Sequence, residues 1–298
     1  MQYRTLGKSG LSVSEIGFGC MSLHDDEEAN IRLIHQAIDL GINYFDTADI
    51  YDNGENEILL GKSVKHCRDK IILATKVGNK YESGSTAFGW DPSKAHIIHA
   101  VEKSLKRLAT EHIDVYQLHG GTLEDNMDET IDAFEILKKQ GKIRFYGISS
   151  IRPNVIREWI KRSNLTSVMM QYSILDRRPE ETCFELLSGN HIGVLARGNI
   201  AKGLLVNKPS ENYLNYHASE VSKACTAVSL LSSEKRSNAQ TALQFVLHEQ
   251  AISSAVVGIR TKHQLEDAVQ TINAPLLTED EVNYLKHILE PNIYELNR

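Results

Sequence analysis

Short runs of apolar residues alternate with longer segments in which apolar residues recur at intervals of three and four positions. Eight of these short runs predict β-strands. They begin near Ser14, Asn43, Ile71, Ile113, Ile143, Ser167, Gly193 and Ser254. The segments between them predict helices, such as the stripe of Ile31, Ile34 and Ile38 that ends before Gly41. Strands that alternate with helices favour an α/β fold with a parallel sheet, because parallel neighbours need crossover connections.

A parallel sheet of this kind is either a closed barrel or an open, doubly wound sheet. The open sheet usually carries the pattern G-x-G-x-x-G after its first strand. Here Gly17-Phe18-Gly19 continues as Cys20-Met21-Ser22, so the third glycine is absent. We therefore predict a (β/α)8 TIM barrel that forms one domain over residues 1–298. The first dozen residues predict a short β-hairpin that precedes the barrel.

Two of the predicted connections are longer than the others. One follows the third strand, from Val77 to about Trp90, and the other follows the seventh strand, from Ala196 to about Ser237. Loops that follow barrel strands lie on the face where such barrels bind ligands. We therefore expect both long loops to cover a ligand.

The composition excludes several classes of protein. A net charge of −6 gives no basic surface for nucleic acid, and no apolar run approaches the length of a membrane span. The first residues contain no apolar signal-peptide core. The four cysteines are scattered, and no cluster of zinc ligands is evident. These observations predict a cytoplasmic protein without a nucleic-acid partner, a membrane partner or a metal site.

Titratable side chains stand at the ends of three successive predicted strands. Asp46 ends the second strand and Tyr51 follows it closely, Lys76 ends the third strand, and His119 ends the fourth. The catalytic residues of barrel enzymes come from strand ends. A lysine that faces the core is costly unless it is paired. We infer that the four side chains converge on one site.

The segments FDTADIY, ATKVG and QLHGG resemble the aldo-keto reductase family in their order and in their places at strand ends. The resemblance covers essentially the whole chain, from RTLGKSGLSVSEIGFG to VVGIRTKHQLEDA. It implies that Asp46, Tyr51, Lys76 and His119 are a catalytic tetrad. It also implies an NADPH-dependent oxidoreductase that reduces a small-molecule aldehyde or ketone to an alcohol.

The four residue types suit the reduction of a carbonyl group. Hydride addition leaves negative charge on the oxygen, which then needs a proton and a hydrogen-bond donor. A phenol is a weak acid near neutral pH, and a neighbouring ammonium favours its ionised form. Tyr51 is therefore the predicted acid, Lys76 its cationic neighbour and Asp46 the group that keeps Lys76 charged. His119 is expected to position the carbonyl oxygen, and the hydride comes from nicotinamide.

The resemblance also implies where the cofactor, NADPH (NADP+ when oxidised), binds. The implied contacts are Ser149, Ser150, Gln171, Arg197, Gly258, Arg260 and Gln264. The first three would contact the carboxamide, and Arg197 stands where the family commonly has an aromatic residue stacked on nicotinamide. The segment from Gly258 to Gln264 begins a helix, whose free amides suit a phosphate, and Arg260 adds a fork suited to a 2′-phosphate.

The substrate pocket is the least defined part of this prediction. Its candidate lining residues are Met21, Ile50, Tyr81, Phe88 and Trp90. The glycines at positions 120 and 121 predict a site that is open on their side. The tail after Leu289 is short, so we expect it to contribute little to closure of the pocket.

Two other functions are compatible with the same residues. Such a barrel could be a regulatory subunit that binds nicotinamide as a sensor, without significant turnover. Alternatively, Lys76 could form a Schiff base in an unrelated aldolase. Turnover with NADPH favours the reductase, and borohydride trapping of a substrate on Lys76 favours the aldolase.

Overall fold

The computed structural model describes residues 1–23, 26–81 and 88–298. The side chains of Tyr81 and Phe88, two of the predicted pocket residues, lie outside this description. The described strands are β1 (Tyr3–Thr5), β2 (Ser12–Ser14), β3 (Ile16–Gly19), β4 (Tyr44–Asp46), β5 (Ile72–Val77), β6 (Asn79–Tyr81), β7 (Phe88–Trp90), β8 (Ile113–Leu118), β9 (Ile143–Ser149), β10 (Ser167–Gln171), β11 (Gly193–Arg197) and β12 (Ile252–Gly258). The described helices are α1 (Glu27–Asp39), α2 (Glu55–Val64), α3 (Lys94–Leu108), α4 (Met127–Lys139), α5 (Pro153–Arg162), α6 (Cys183–Gly189), α7 (Ala218–Leu231), α8 (Asn238–His248), α9 (Lys262–Gln270) and α10 (Glu279–His287).

Eight strands close into a parallel barrel in the order β10–β11–β12–β3–β4–β5–β8–β9. All eight predicted strands take part, which confirms the predicted (β/α)8 TIM barrel. The register places Gly19 opposite Asp46 and Lys76 opposite Gln117. Residues that end neighbouring strands therefore meet at the carboxyl end of the barrel, here called the upper end.

The predicted N-terminal hairpin is present and covers the opposite, lower end. Strands β1 and β2 pair antiparallel, and Leu6, Leu11 and Val13 are buried among the side chains that fill the barrel interior. Gly7 has a φ of 51°, and a Cβ at this position would lie 2.5 Å from the carbonyl oxygen of Thr166. Only glycine allows the hairpin to approach the strand ends this closely. The hairpin thus fills the lower end of the barrel.

The helices begin and end at residues whose backbone conformation or side chain suits a helix terminus. Helix α1 ends as predicted before Gly41, whose φ is 92°. Pro153 is the first residue of α5, as its fixed φ favours. Helix α3 begins shortly after Pro92, because Ser93 is its N-cap and accepts a hydrogen bond from the amide of His96.

The two long connections contain secondary structure. The one after β5 includes the antiparallel pair β6 and β7. The one after β11 includes α7, a helix of 14 residues, so it is not a loop throughout. The buried face of α7 consists of Val221, Ala224, Ala227 and Val228. Alanines give a weak apolar signal, which explains why the helix was not predicted.

Candidate active site

Alternation along the barrel strands produces a polar layer at the upper end. Side chains of successive residues point to opposite faces of a strand, so positions two apart share a face. The buried interior includes Tyr44, Ala74, Val115, Met169 and Leu195. Two residues later in the same strands stand Asp46, Lys76, Gln117, Gln171 and Arg197. The barrel interior therefore changes from apolar to polar where the strands end.

Lys76 is the centre of this polar layer. Its ammonium donates to Oδ1 of Asp46 at 2.5 Å, to the carbonyl oxygen of Thr47 at 2.8 Å and to the hydroxyl of Tyr51 at 3.4 Å. Only 1% of the Lys76 side chain is exposed. These contacts use all of the ammonium donors. Three of the four predicted catalytic residues are thus in direct contact, with the buried charge of Lys76 between Asp46 and Tyr51.

The carboxylate of Asp46 keeps Lys76 protonated. Burial alone would lower the pKa of Lys76, but the adjacent Asp46 carboxylate outweighs burial and raises that pKa above its ordinary value. Burial raises the pKa of Asp46 above its ordinary value, and Lys76 and the amide of Gln117 oppose that rise. Lys76 is therefore an ammonium at neutral pH, held against Asp46 and Tyr51.

His119 completes the predicted tetrad in space. Its ring lies edge-on to that of Tyr51, with 6.1 Å between the ring centroids. Burial, together with the charges of Lys76 and Arg197, lowers the pKa of His119 to about 3. Its Nδ1 is buried without a hydrogen-bond partner among the described residues. His119 is thus a neutral imidazole, which can form a hydrogen bond with a ligand but cannot act as a cationic acid near neutral pH.

Two residues that support this group were missing from the sequence prediction. Gln117 is fully buried, and its Nε2 donates to Oδ2 of Asp46 at 3.1 Å. The signal for Gln117 was the alternation of β8, which places it on the same face as His119. Asn56, on α2, accepts from the hydroxyl of Thr47 at 2.7 Å and donates to the carbonyl oxygen of Cys20 at 2.9 Å. No spacing within the strands indicates Asn56.

The residues implied for the nicotinamide contact lie at the ends of three neighbouring strands. Ser149 and Ser150 are buried at the end of β9. Gln171 on β10 lies opposite Arg197 on β11 in the parallel register. Arg197 is partly exposed, and its charge helps to lower the pKa of His119. Arg197 is therefore part of the site and not an arginine of the outer surface.

The residues implied for the phosphate contact lie where β12 leads into α9. Thr261 caps α9 by accepting from the amide of Gln264, and Oε1 of Gln264 accepts from the amide of Arg260 at 2.9 Å. Arg260 is exposed. A Cβ at Gly258 would lie 2.5 Å from Oγ of Ser22, so this position has no room for a side chain. The structure brings an exposed guanidinium to a helix N-terminus, an arrangement suited to a phosphate.

Trp90 lies beside Gly120, on the side of the site that was predicted to be open. A Cβ at Gly120, whose φ is 142°, would lie 3.4 Å from the indole. The indole Nε1 donates to Oδ1 of Asp125 at 2.9 Å. The indole therefore packs beside Gly120, and the open side of the pocket stays a prediction. Of the other predicted pocket residues, Met21 is exposed, and Ile50, which precedes Tyr51, is partly buried.

The C-terminal tail makes buried contacts, and its small contribution to pocket closure stays a prediction. Asn292 is buried and donates to the carbonyl oxygen of Leu175, and it accepts from the amide of Arg177. The guanidinium of Arg178 lies over the ring of Tyr294, 5.1 Å from its centroid. The tail thus packs on the connection that follows β10, which supports one of the loops at the upper end.

Two further observations concern metal-binding clusters and membrane-spanning helices. Within the three described ranges, no group of histidine, cysteine, aspartate and glutamate side chains is arranged to hold a metal ion. None of the helices in these ranges combines the length and the apolar character needed to cross a membrane.

Comparison with known proteins shows close relatives over the full length. A family model described as "Aldo/keto reductase family" matches residues 15–290. The uncharacterized oxidoreductase YqkF of Bacillus subtilis (strain 168) is 48% identical and covers 100% of both chains. The holo form of aldo-keto reductase AKR11C1 from Bacillus halodurans is 48% identical with a TM-score of 0.94, covering 100% of this chain and 99% of that one. Its apo form gives a TM-score of 0.85 at 44% identity with the same coverage.

Proposed function

This chain belongs to the aldo/keto reductase family of oxidoreductases, and from that premise we propose that it reduces aldehydes or ketones to alcohols with NADPH. The observation that carries the proposal is the buried Lys76 ammonium, which contacts Asp46 and Tyr51 at once. A buried cation beside a phenol is difficult to explain by packing alone, since lysine is rarely buried unless it is paired for a purpose.

Tyr51 donates the proton in the proposed reaction. As negative charge grows on the carbonyl oxygen, the phenol transfers its proton to that oxygen and becomes a phenolate. The Lys76 ammonium, 3.4 Å from the Tyr51 oxygen, stabilises the phenolate. Asp46 keeps Lys76 charged, and the carbonyl oxygen of Thr47 fixes the direction of the ammonium.

His119 orients the substrate and is not the acid. Because its pKa is lowered to about 3, the imidazole is neutral throughout the physiological range. A neutral ring can donate one hydrogen bond to the carbonyl oxygen and thereby hold that oxygen beside Tyr51. The assignment of Tyr51 as the acid thus gains support from the low pKa of His119.

The residues at the upper end fit NADPH. When bound, the reduced nicotinamide supplies a hydride to the carbonyl carbon. Ser149, Ser150 and Gln171 would hold the carboxamide, and Arg197 would lie against the ring. Gly258, Arg260 and Gln264 would form the phosphate site at the beginning of α9. The higher TM-score to the holo form of the relative than to its apo form supports an arrangement suited to a bound cofactor.

The first experiment compares the wild type with Tyr51→Phe on a panel of aldehydes, α-dicarbonyls and quinones. We expect kcat to fall by about 10²- to 10⁴-fold, because the variant cannot donate the proton. NADPH binding, followed by tryptophan fluorescence, should be unchanged. The matched control is Tyr284→Phe, an exposed tyrosine on α10. Equal turnover in the wild type and in Tyr51→Phe would contradict the mechanism.

The same assays separate the alternatives. A wild type that binds NADPH without oxidising it would favour the sensor subunit. A substrate trapped on Lys76 by borohydride would favour the aldolase.

The second experiment tests the choice of NADPH over NADH. Arg260→Ala should raise KM for NADPH about tenfold or more and leave KM for NADH nearly unchanged, since only NADPH carries the 2′-phosphate. Arg162→Ala, an exposed arginine at the end of α5, is the matched control. Equal changes for both cofactors would remove the assignment of Arg260.

We propose that this reaction takes place in the cytoplasm on a small molecule. The four cysteines are free, which supports a reducing, cytoplasmic compartment. The proposed substrate is a small-molecule carbonyl compound, and the net charge of −6 argues against a nucleic-acid partner or an anionic membrane surface. Residues 1–298 are proposed to act as one barrel domain.

A further inference from the structure

The amide group of Gln117 is not needed to fill the space at this position. It lies opposite Lys76 in the register of β5 and β8 and is fully buried. Its Oε1 is buried and has no hydrogen-bond partner among the described residues. A buried, unpaired amide oxygen costs free energy, and an apolar side chain of the same size would avoid that cost. The amide therefore needs an explanation beyond filling space.

The contact that Gln117 makes is with the carboxylate of the tetrad. Oδ1 of Asp46 accepts from Lys76, and Oδ2 accepts from Nε2 of Gln117 at 3.1 Å. The amide must present its nitrogen to Asp46, because its oxygen would repel a carboxylate oxygen. Both carboxylate oxygens are thus fixed by donors, and the donor from Gln117 favours the ionised form of Asp46.

We propose that Gln117 is a positioning residue for the reduction: its amide holds Asp46 ionised and turned toward Lys76, and thereby keeps the Lys76 ammonium beside Tyr51. The inference rests on the proposed reductase function. Gln117 acts through Asp46 and contacts neither Tyr51 nor His119 in the described hydrogen bonds.

Of the other titratable groups that face Asp46 or Lys76 in the described ranges, Asp49 changes charge in the working range, because burial and the neighbouring Glu57 raise its pKa to about 7. It does so in the wild type as well, so its effect cancels when a variant at position 117 is compared with the wild type. Cys20 after β3 and Tyr44 on β4 are fully buried, and burial raises the pKa of both, so they stay neutral. Arg197 on β11 keeps its charge. The pKa of His119, about 3, lies below the range of the assay. Any new pH dependence in a variant at position 117 therefore comes from that position or from the Asp46–Lys76–Tyr51 group.

Two substitutions test this role. Gln117→Met keeps the length of the side chain but offers no donor, so we expect kcat to fall about tenfold to a hundredfold at every pH, with NADPH binding unchanged. Gln117→Glu carries a carboxyl that can donate to Asp46 when protonated and repels it when ionised. We expect kcat of this variant to approach the wild type at the acidic end and to fall as pH rises. The control is Gln244→Met, a buried glutamine on α8 that donates to the carbonyl oxygen of Thr271.

The outcomes separate this inference from the proposed function. A wild type that reduces no carbonyl compound overturns both. A wild type that turns over, with both position-117 variants matching its kcat and pH profile, overturns only the role of Gln117. An equal, pH-independent loss in the two variants would make Gln117 a packing residue and would likewise overturn it. If Gln117→Met fails to fold, the pH profile of Gln117→Glu decides alone.

Discussion

Two buried carboxylates at opposite ends of the barrel are held in different ways. Asp114 lies at the lower end of β8 and accepts from Arg68 at 2.8 Å, from Arg144 at 2.7 Å and from the amide of Leu73 at 3.0 Å. Arg68 also donates to the carbonyl oxygen of Ile71 and to other groups of the same loops. The hydrogen bonds described at the lower end therefore all pair one protein group with another.

Asp46, at the upper end, belongs to a network that ends in an unpaired polar group. Its carboxylate accepts from Lys76 and Gln117, and Lys76 continues the chain to Tyr51. Beyond Tyr51 stands His119, whose Nδ1 has no partner among the described residues. A buried charge pair stabilises the fold where all of its partners are protein groups. Where the network ends in an unpaired donor or acceptor, it is available for a ligand.

Arg68 and Lys76, the buried cations of the two networks, differ in whether they can lose their charge. An arginine cannot lose its proton in a protein, whereas a buried lysine can. Loss of the carboxylate at the lower end would leave a charge that cannot be removed. Loss of the carboxylate at the upper end would let Lys76 become neutral, which protects stability but removes the charge beside Tyr51.

The largest expected effect is therefore a separation of stability from activity. Asp114→Asn should lower the free energy of unfolding by about 3–5 kcal/mol, because Arg68 is left with no counter-charge in a mostly buried place. Its kcat per folded molecule should match the wild type. Asp46→Asn should lower kcat by about 10²-fold and cost less stability. Urea unfolding and NADPH oxidation measure the two quantities.

If Asp114→Asn lowered kcat as strongly as Asp46→Asn does, the two ends would not differ in function. Equal losses of stability in the two variants would show that Lys76 stays charged without Asp46, and would contradict the difference between the two cations.

A second prediction concerns Asp49, whose buried Oδ1 has no partner among the described residues. Burial and the neighbouring Glu57 raise the pKa of Asp49 to about 7. The ordinary value is about 4, so the folded state binds the extra proton between these values and stability falls as pH rises through this window. Asp49→Asn removes this loss and should gain about 3–4 kcal/mol relative to the wild type between pH 4 and pH 7.

Unfolding measurements across this pH range check the prediction, with Asp39→Asn on the exposed end of α1 as the control. A stability difference between Asp49→Asn and the wild type that does not vary with pH would contradict it.

The sequence was sufficient to predict the barrel and the convergence of the tetrad. Strand position follows from short apolar runs, and residues that end neighbouring parallel strands must meet at one edge. Asp46, Lys76 and His119 obey this rule because each lies within one residue of the end of its own strand. Gln117 obeys it as well, but it stands inside an apolar run and was overlooked for that reason.

The contacts that cross between distant segments could not be predicted. Trp90 lies on Gly120 only because the connection after β5 folds back over the end of β8. The buried contact of Asn292 with Leu175 joins residues more than a hundred positions apart. Arg144 and Arg68 meet at Asp114 through three different segments. Such contacts depend on loop paths, and neither alternation nor helical spacing specifies a loop path.

The smallest of the three expected effects tests the open end of the upper network at His119. Its pKa in the folded state is about 3, against an ordinary value of about 6.5. The unfolded chain therefore binds the proton more readily between these values, and stability falls as pH decreases through this window. In His119→Asn this loss is absent, so the wild type should lose about 2–3 kcal/mol relative to the variant between pH 6.5 and pH 4.5. His287→Asn, an exposed histidine on α10, is the control. Parallel stability curves for the wild type and His119→Asn would mean that the imidazole is already hydrogen-bonded and solvated. In that case the upper network would be as closed as the one around Asp114.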